Sequence, residues 1–209
     1  MHLTNKSVHY NEFHKNGCDY LNSISYIGKV YRTAYFWKDI LELDTKEQIK
    51  YLEIGAFHGA NALTFLNIYG EHDLSEVHCI DPWLSYDEYD EYSEEQNTNY
   101  HMFMNNVNRL SAKSLSKLYT HRGFSHDKLK HFEENYFDVI YIDGNHNPEY
   151  VLEDAVMSFR KLKDNGYMIF DDYGWNNVHE GVDAFVNVYK KYMKIIACQN
   201  SQVIIQKVC

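Results

Sequence analysis

Tyr51-Leu52-Glu53-Ile54-Gly55-Ala56-Phe57-His58-Gly59-Ala60-Asn61 joins an apolar run of strand length to a segment of helical period through two glycines separated by three residues. Glycine supplies turn conformations closed to other residues and lets a backbone come close to whatever lies above it. The stretch reads as strand, tight turn and helix. Downstream the alternation of short apolar runs with longer helical segments repeats, which is the pattern of βα units on a parallel sheet. Strands are expected at Lys50 to Ile54, Val77 to Asp81, Leu118 to Arg122, Phe137 to Asp143, Tyr167 to Asp171, Ile195 to Gln199 and Val203 to Lys207. Helices are expected to start near His58, Met102, Ser125, Asn147 and Val178. The short Asn200-Ser201 turn makes the last two strands an antiparallel hairpin.

Before the first strand, aromatic residues at mixed spacing (Tyr10, Phe13, Tyr20, Tyr26, Tyr31, Tyr35, Phe36, Trp37) predict one or two helices. The chain therefore divides into an N-terminal helical segment, residues 1–48, that can cover a substrate, and an α/β domain, residues 49–209. Leu84 to Tyr100 breaks the rhythm with six Asp or Glu side chains interleaved with tyrosines. It reads as a solvated acidic loop or as a lid over a polar substrate. A formal charge of −10 without a run of lysines or arginines argues against nucleic acid as partner. The four cysteines show no C-x-x-C pair, which fits neither a disulfide framework nor a zinc site. No stretch approaches the ~18 apolar residues of a membrane span. A cytoplasmic protein with no membrane or nucleic-acid partner is the expectation, and a homo-oligomer is compatible with it.

The second expected strand ends on Asp81, positioned to accept both hydroxyls of a ribose. Glycine turn and acidic tip together suit adenosine, and these two features leave both a dinucleotide enzyme and a methyltransferase open. The turn lacks the G-x-G-x-x-G spacing of a pyrophosphate site, which tilts the reading away from a dinucleotide. After the next strand comes Arg122-Gly123-Phe124-Ser125, where Ser125 is expected to cap a helix and to read an adenine edge.

Phe137-Asp138-Val139-Ile140-Tyr141-Ile142-Asp143-Gly144-Asn145-His146-Asn147-Pro148 delivers Asp143 to a strand tip, with Asn147 as helix N-cap and Pro148 as first helical residue. The following strand ends in Asp171-Asp172. Neighbouring strands run about 4.8 Å apart and ligand sites lie at their carboxyl ends, so Asp143, Asp171 and Asp172 are expected to converge. Gathered like charges raise one another's pKa unless a cation joins them, and oxygen ligands favour Mg²⁺, Ca²⁺ or Mn²⁺. His146 stands where it can take a proton from a metal-held hydroxyl.

Taken in order, E-I-G-x-x-x-G, I-D-P-W, G-F-S-x-x-x-L, I-D-G-x-H-x-x-x-x-V-x-x-D and G-Y-M-I-F-D-D-Y resemble the class I methyltransferases. More narrowly they are similar to the metal-dependent sugar O-methyltransferases, the macrocin, mycinamicin and rhamnosyl group, over roughly Tyr51 to Tyr189. The resemblance implies a Rossmann-like α/β fold with a seven-stranded, mostly parallel sheet, helices on both faces and a C-terminal antiparallel hairpin. It also implies S-adenosylmethionine as donor, contacted by Glu53, Gly55, Gly59, Asn61, Asp81, Ser125 and Asp143. Mg²⁺ (or Mn²⁺) is then bound by Asp143, Asp171 and Asp172, with His146 as general base. Asn61 departs from the Ser or Thr usual in that group. Catechol-type enzymes have a lysine in place of His146 and Asp-Asn in place of Asp171-Asp172, so the sugar group fits better, with rhamnose as one acceptor. The alternatives are methylation of a phenolic or other small-molecule hydroxyl, and a non-catalytic adenosylmethionine-binding module.

Overall fold

The computed structural model describes residues 7–84, 96–175 and 177–208, and side chains from residue 11 onward. Most of the acidic stretch expected to form a loop or lid, residues 85–95, lies outside the described residues. Helix α1 (Ser7–Ser23) and a 3-10 turn (Ala34–Trp37) precede β1 (Lys50–Ile54). Then follow α2 (Ala60–Tyr69), β2 (Glu76–Asp81), α3 (Gln96–Val107), α4 (Ala112–Leu115), β3 (Leu118–Arg122) and α5 (Ser125–Lys128). The chain continues through β4 (Phe137–Ile142), α6 (Pro148–Phe159), β5 (Leu162–Phe170), α7 (Val178–Tyr189), β6 (Met193–Gln199) and β7 (Gln202–Lys207).

These strands form one seven-stranded sheet in the order β3-β2-β1-β4-β5-β7-β6. β1 to β5 pair in parallel, and β7 runs antiparallel to both β5 and β6. The hairpin turn at Asn200 and Ser201 has φ of 55° and 57°. Positive φ at both central residues is what a two-residue turn needs to match strand twist.

Alternation along each strand sorts its side chains to two faces. Tyr51, Val77, Cys79, Val139, Tyr141 and Ile169 belong to one cluster with Leu21 of α1, Trp37, Phe65 of α2 and Phe103 of α3. Leu52, Ile54, Ile80, Ile140, Met168 and Phe170 pack with Val151 and Phe159 of α6 and Val182 and Phe185 of α7. Each such large apolar side chain contributes about 1.5–3 kcal/mol on burial, so both faces hold the sheet.

The N-terminal segment shares the first cluster, and polar contacts fix its path. Trp37 Nε1 donates to Gln202 Oε1 at 2.9 Å, and the Ala34 N–H donates to Thr64 Oγ1 at 2.9 Å. Asn106 of α3 accepts from the Ile27 N–H at 2.9 Å and donates to the Ile27 carbonyl at 2.8 Å and the His58 carbonyl at 3.0 Å. The Lys29 N–H donates to His58 Nδ1 at 3.1 Å. Segment 27–32 is thereby laid over the glycine turn that follows β1. No helix among the described residues is long and apolar enough to cross a membrane.

Candidate functional site

The sheet order reverses direction between β1 and β4, and ligands of open α/β sheets bind beyond the strand ends at such a switch point. A cleft of about 870 Å³ opens there, lined among others by Gly55, Asp81, Ser125, Asp143, His146, Asp171 and Asp172. Its size suits a small-molecule site.

Asp81 ends β2 and ties two turns together. Its Oδ2 accepts the Phe57 N–H at 2.9 Å, its Oδ1 accepts the Trp83 N–H at 2.7 Å, and Trp83 Nε1 donates back to the Phe57 carbonyl at 2.9 Å. Burial pushes the Asp81 carboxyl up to about 6, against the opposing pull of those backbone N–H groups and Arg122. Above that pH it presents an ionised acceptor to the cleft. Gly55 is needed for a protein contact: its φ is +87° and an added Cβ would lie 1.8 Å from the Asp143 carbonyl oxygen. The closeness of β1 and β4 tips thus depends on glycine.

Three expected cofactor contacts fall elsewhere. Glu53 lies on the same face as Tyr51, is only 2% exposed, accepts the Tyr51 hydroxyl at 2.9 Å and does not line the cleft. Burial pushes its carboxyl up to about 8. Gly59 is the left-handed N-cap of α2, which begins at Ala60, near His58 as expected, and its open side is filled by the Phe103 ring. Asn61, in the first turn of α2, is buried and is not a lining residue of the cleft. Ser125 does line the cleft, but it is the first residue of α5 with Phe124 at the cap position, so it does not cap the helix. Its hydroxyl instead bonds the carboxyl of Asp154, which burial pushes up to about 7. Asn147 takes the cap position of α6 with Pro148 first, without a side-chain cap bond.

At the tips of β4 and β5, one ligand atom each of Asp143, His146 and Asp172 lies within 4.8 Å of the others. His146 Nε2 is 3.4 Å from Asp172 Oδ2. Burial, then the charges of Asp171 and Asp172, push the Asp143 carboxyl well above its ordinary range, with His146 opposing. Asp172 has φ +52°, unusual for a residue with a side chain, and its N–H donates to Asp171 Oδ1 at 2.9 Å. Asp171 lies beside this group but outside its 4.8 Å spacing: Arg32 Nε stands 3.4 Å from its Oδ1, and the Tyr141 hydroxyl bonds its Oδ2. Tyr141 also reaches Asp143 Oδ2 at 3.1 Å, bridging the two strand tips. The two carboxylates of Asp143 and Asp172 suit a hard divalent cation, which would offset the like charge that helps lift Asp143, with His146 beside them.

Tyr31, Arg32 and Trp175 line the cleft as well, and sequence periodicity does not reveal them. Arg32 and Tyr31 arrive through the hydrogen bonds of segment 27–32 to residues 58 and 106. Trp175 arrives through the turn that follows β5: its N–H donates to the Asp172 carbonyl at 2.8 Å, and its ring centroid lies 4.7 Å from that of His146. An exposed aromatic four residues past a strand-tip acid is the one signal that could have pointed to it.

The profile of a methyltransferase-domain family matches residues 52–173. No curated protein matches the sequence significantly. Solved structures of the same fold include an O-methyltransferase from Bacillus cereus in complex with SAH, 14% identical, covering 99% of this chain and 93% of that one with a TM-score of 0.64. Cofactor-bound Rv0187 from MTB is 13% identical, with 94% and 89% covered and a TM-score of 0.61. The O-methyltransferase NovP is 15% identical, with 95% and 79% covered and a TM-score of 0.55. At such identities the likeness is one of fold.

Proposed function

The chain belongs to the methyltransferase-domain family whose profile spans residues 52–173, and from that premise we propose that it is an S-adenosylmethionine-dependent O-methyltransferase. Its acceptor is a hydroxyl of a sugar or glycan, with divalent-metal assistance and His146 as general base. The observation that carries the proposal is that Asp81 and the Asp143, His146, Asp172 group face one cleft. A ribose acceptor and a proton-accepting acidic centre are what such a transfer requires in one place.

When bound, S-adenosylmethionine would supply a methyl group on positively charged sulfur, and Mg²⁺ or Mn²⁺ held by Asp143 and Asp172 would lower the pKa of an acceptor hydroxyl. The chain's residues do the rest. Asp81 accepts from the ribose at the β2 tip, and Ser125 with Asp154 faces the base on the β3 side. Asp143 and Asp172 would hold the cation. Asp171, expected from sequence as a third ligand, pairs with Arg32 and Tyr141 and fixes the β5 tip against β4. His146 takes the hydroxyl proton at Nε2, and the Asp172 carboxylate beside it stabilises the imidazolium so formed. Tyr31 and Arg32 make the N-terminal segment one wall of the cleft, which is how it covers substrate.

Methyl transfer over a panel of sugar and phenolic acceptors, with Mg²⁺ and with a chelator, tests this for wild type and His146→Ala. Product is expected from sugars, lost with chelator, and reduced about 10²–10⁴-fold in kcat by the substitution. Methylation indifferent to both changes overturns the assigned centre. Preference for phenols overturns the sugar.

A further inference from the structure

His58 sits inside the glycine turn, is only 3% exposed and does not line the cleft. Its two ring nitrogens meet two other parts of the chain. Nδ1 is 3.1 Å from the Lys29 N–H, and Nε2 is 2.9 Å from Asn99 Oδ1 of α3. A backbone N–H can only donate, so Nδ1 carries no proton and accepts. The ring is then the neutral tautomer with its proton on Nε2, which donates to the Asn99 amide oxygen. The fit around Nδ1 suits one residue type: Gly28 has φ +118°, and an added Cβ would lie 2.4 Å from that nitrogen.

These bonds set the course of the cleft wall. Asn106, also of α3 and fully buried, clasps both polar groups of Ile27 and the His58 carbonyl, so residues 27–29 are held by the glycine turn and α3 together. Arg32, 3.4 Å from Asp171, anchors the other end of the segment. Tyr31 lies between the two anchors, lines the cleft and sets its ring 6.2 Å from that of Phe57. The Phe57 ring stacks on His58 at 3.7 Å, and the Phe57 N–H is the one that Asp81 accepts. One buried imidazole therefore touches both the turn that orients the ribose acceptor and the segment that carries Tyr31. Neither hydrogen-bond partner of the ring belongs to the sheet, so losing the ring frees the wall before it opens the core.

We propose that His58 is the positioning residue of the cofactor cover: as the neutral Nε2–H tautomer it docks residues 27–32 against the glycine turn, which places Tyr31 beside bound S-adenosylmethionine. This rests on the methyltransferase reading and deepens its cofactor half.

Calorimetric titration of S-adenosylhomocysteine into wild type comes first, because absence of binding to folded protein removes the methyltransferase reading before the cover is reached. His58→Leu, which fills the space without an acceptor, is expected to raise that Kd about tenfold, since it strands the Lys29 N–H and leaves the segment undocked. His58→Asn returns an acceptor to Lys29 and is expected to restore most of the affinity. Gly28→Ala, which leaves the imidazole intact and blocks the approach to it, is expected to weaken binding as His58→Leu does. Hydrogen exchange separates docking from general loosening: in His58→Leu the peptide spanning residues 24–33 exchanges faster, while those covering β1 and β4 keep their wild-type rates. In wild type, ¹⁵N–¹H correlation of the imidazole ring is expected to show the proton on Nε2. The proposal is overturned if that proton resides on Nδ1, or if residues 24–33 stay protected in His58→Leu or loosen only together with β1 and β4. It is equally overturned if the segment is freed and S-adenosylhomocysteine binds as before, if His58→Asn restores nothing, or if Gly28→Ala leaves the Kd unchanged.

Discussion

Asp81→Asn isolates the ribose contact. The wild-type carboxylate already accepts the Phe57 and Trp83 N–H groups at 2.9 and 2.7 Å, so its orientation is fixed before any ligand arrives. The amide keeps one acceptor oxygen, presents an NH₂ to the other donor, and removes the charge. Hydrogen bonds to a charged group contribute about 1.5–3 kcal/mol each. Losing the better part of a two-point ribose contact is therefore expected to cost about 2–3 kcal/mol, or roughly 30- to 150-fold in the Kd for S-adenosylhomocysteine at pH 8. Calorimetric titration measures it, with circular dichroism confirming that the variant is folded. The pH profile supplies a second reading. Since burial pushes the Asp81 carboxyl up to about 6, wild-type affinity is expected to fall as pH drops through that value, while the variant stays flat. The same shift, upward from 3.8, means that the stability Asp81 contributes is fully present below pH 3.8 and lost as pH rises through about 6, and the amide abolishes this dependence. A folded variant that binds within about twofold of wild type at pH 8, or that keeps the wild-type pH dependence of binding, refutes the reasoning; the predicted loss is far larger.

Two further substitutions probe the scaffold. Gly55→Ala places a Cβ 1.8 Å from the Asp143 carbonyl oxygen at φ +87°, and is expected to cost about 3–5 kcal/mol in urea unfolding; a cost below about 1 kcal/mol would show that the β1 and β4 tips can part freely. Glu53→Gln tests the buried acid. Its carboxyl is raised from 4.5 to about 8, so its contribution is full below pH 4.5 and lost as pH rises through about 8. The wild-type guanidinium midpoint is expected to decline between pH 5 and 9, by up to something on the order of 4 kcal/mol in stability, and the Gln variant to stay level. Equal declines in both would assign the titration to another group.

Strands were legible where a short run of strand length is set off by turn and helical segments on either side. β1 and β3 run from Lys50 to Ile54 and from Leu118 to Arg122, the limits expected from sequence. β5 instead starts at Leu162, five residues before the apolar run at Tyr167. Lys163, Asp164 and Asn165 do not look like a buried strand, and the pairing register with β4 shifts there, between Phe137 and Val139. α3 starts at Gln96, ahead of the expected Met102, because its polar first turn carries little helical period. In the site, Asp81, Asp143, His146 and Asp172 reach the cleft because a strand tip aims its last residues at the carboxyl end of the sheet. Glu53 does not, since its place in the alternation turns it to the Tyr51 face.

Sequence by itself determined the alternation of strands and helices, the glycine turn, and which acids stand at strand ends, because each depends on residues within one or two turns of chain. Only the tertiary structure decided which of those acids share a centre. Asp171 pairs with Arg32, brought to the cleft by Asn106 from 79 positions beyond Ile27, and Ser125 finds Asp154 across two helices. Such partners are chosen by packing, since a buried charge or hydroxyl must find its complement in space whatever the distance along the chain.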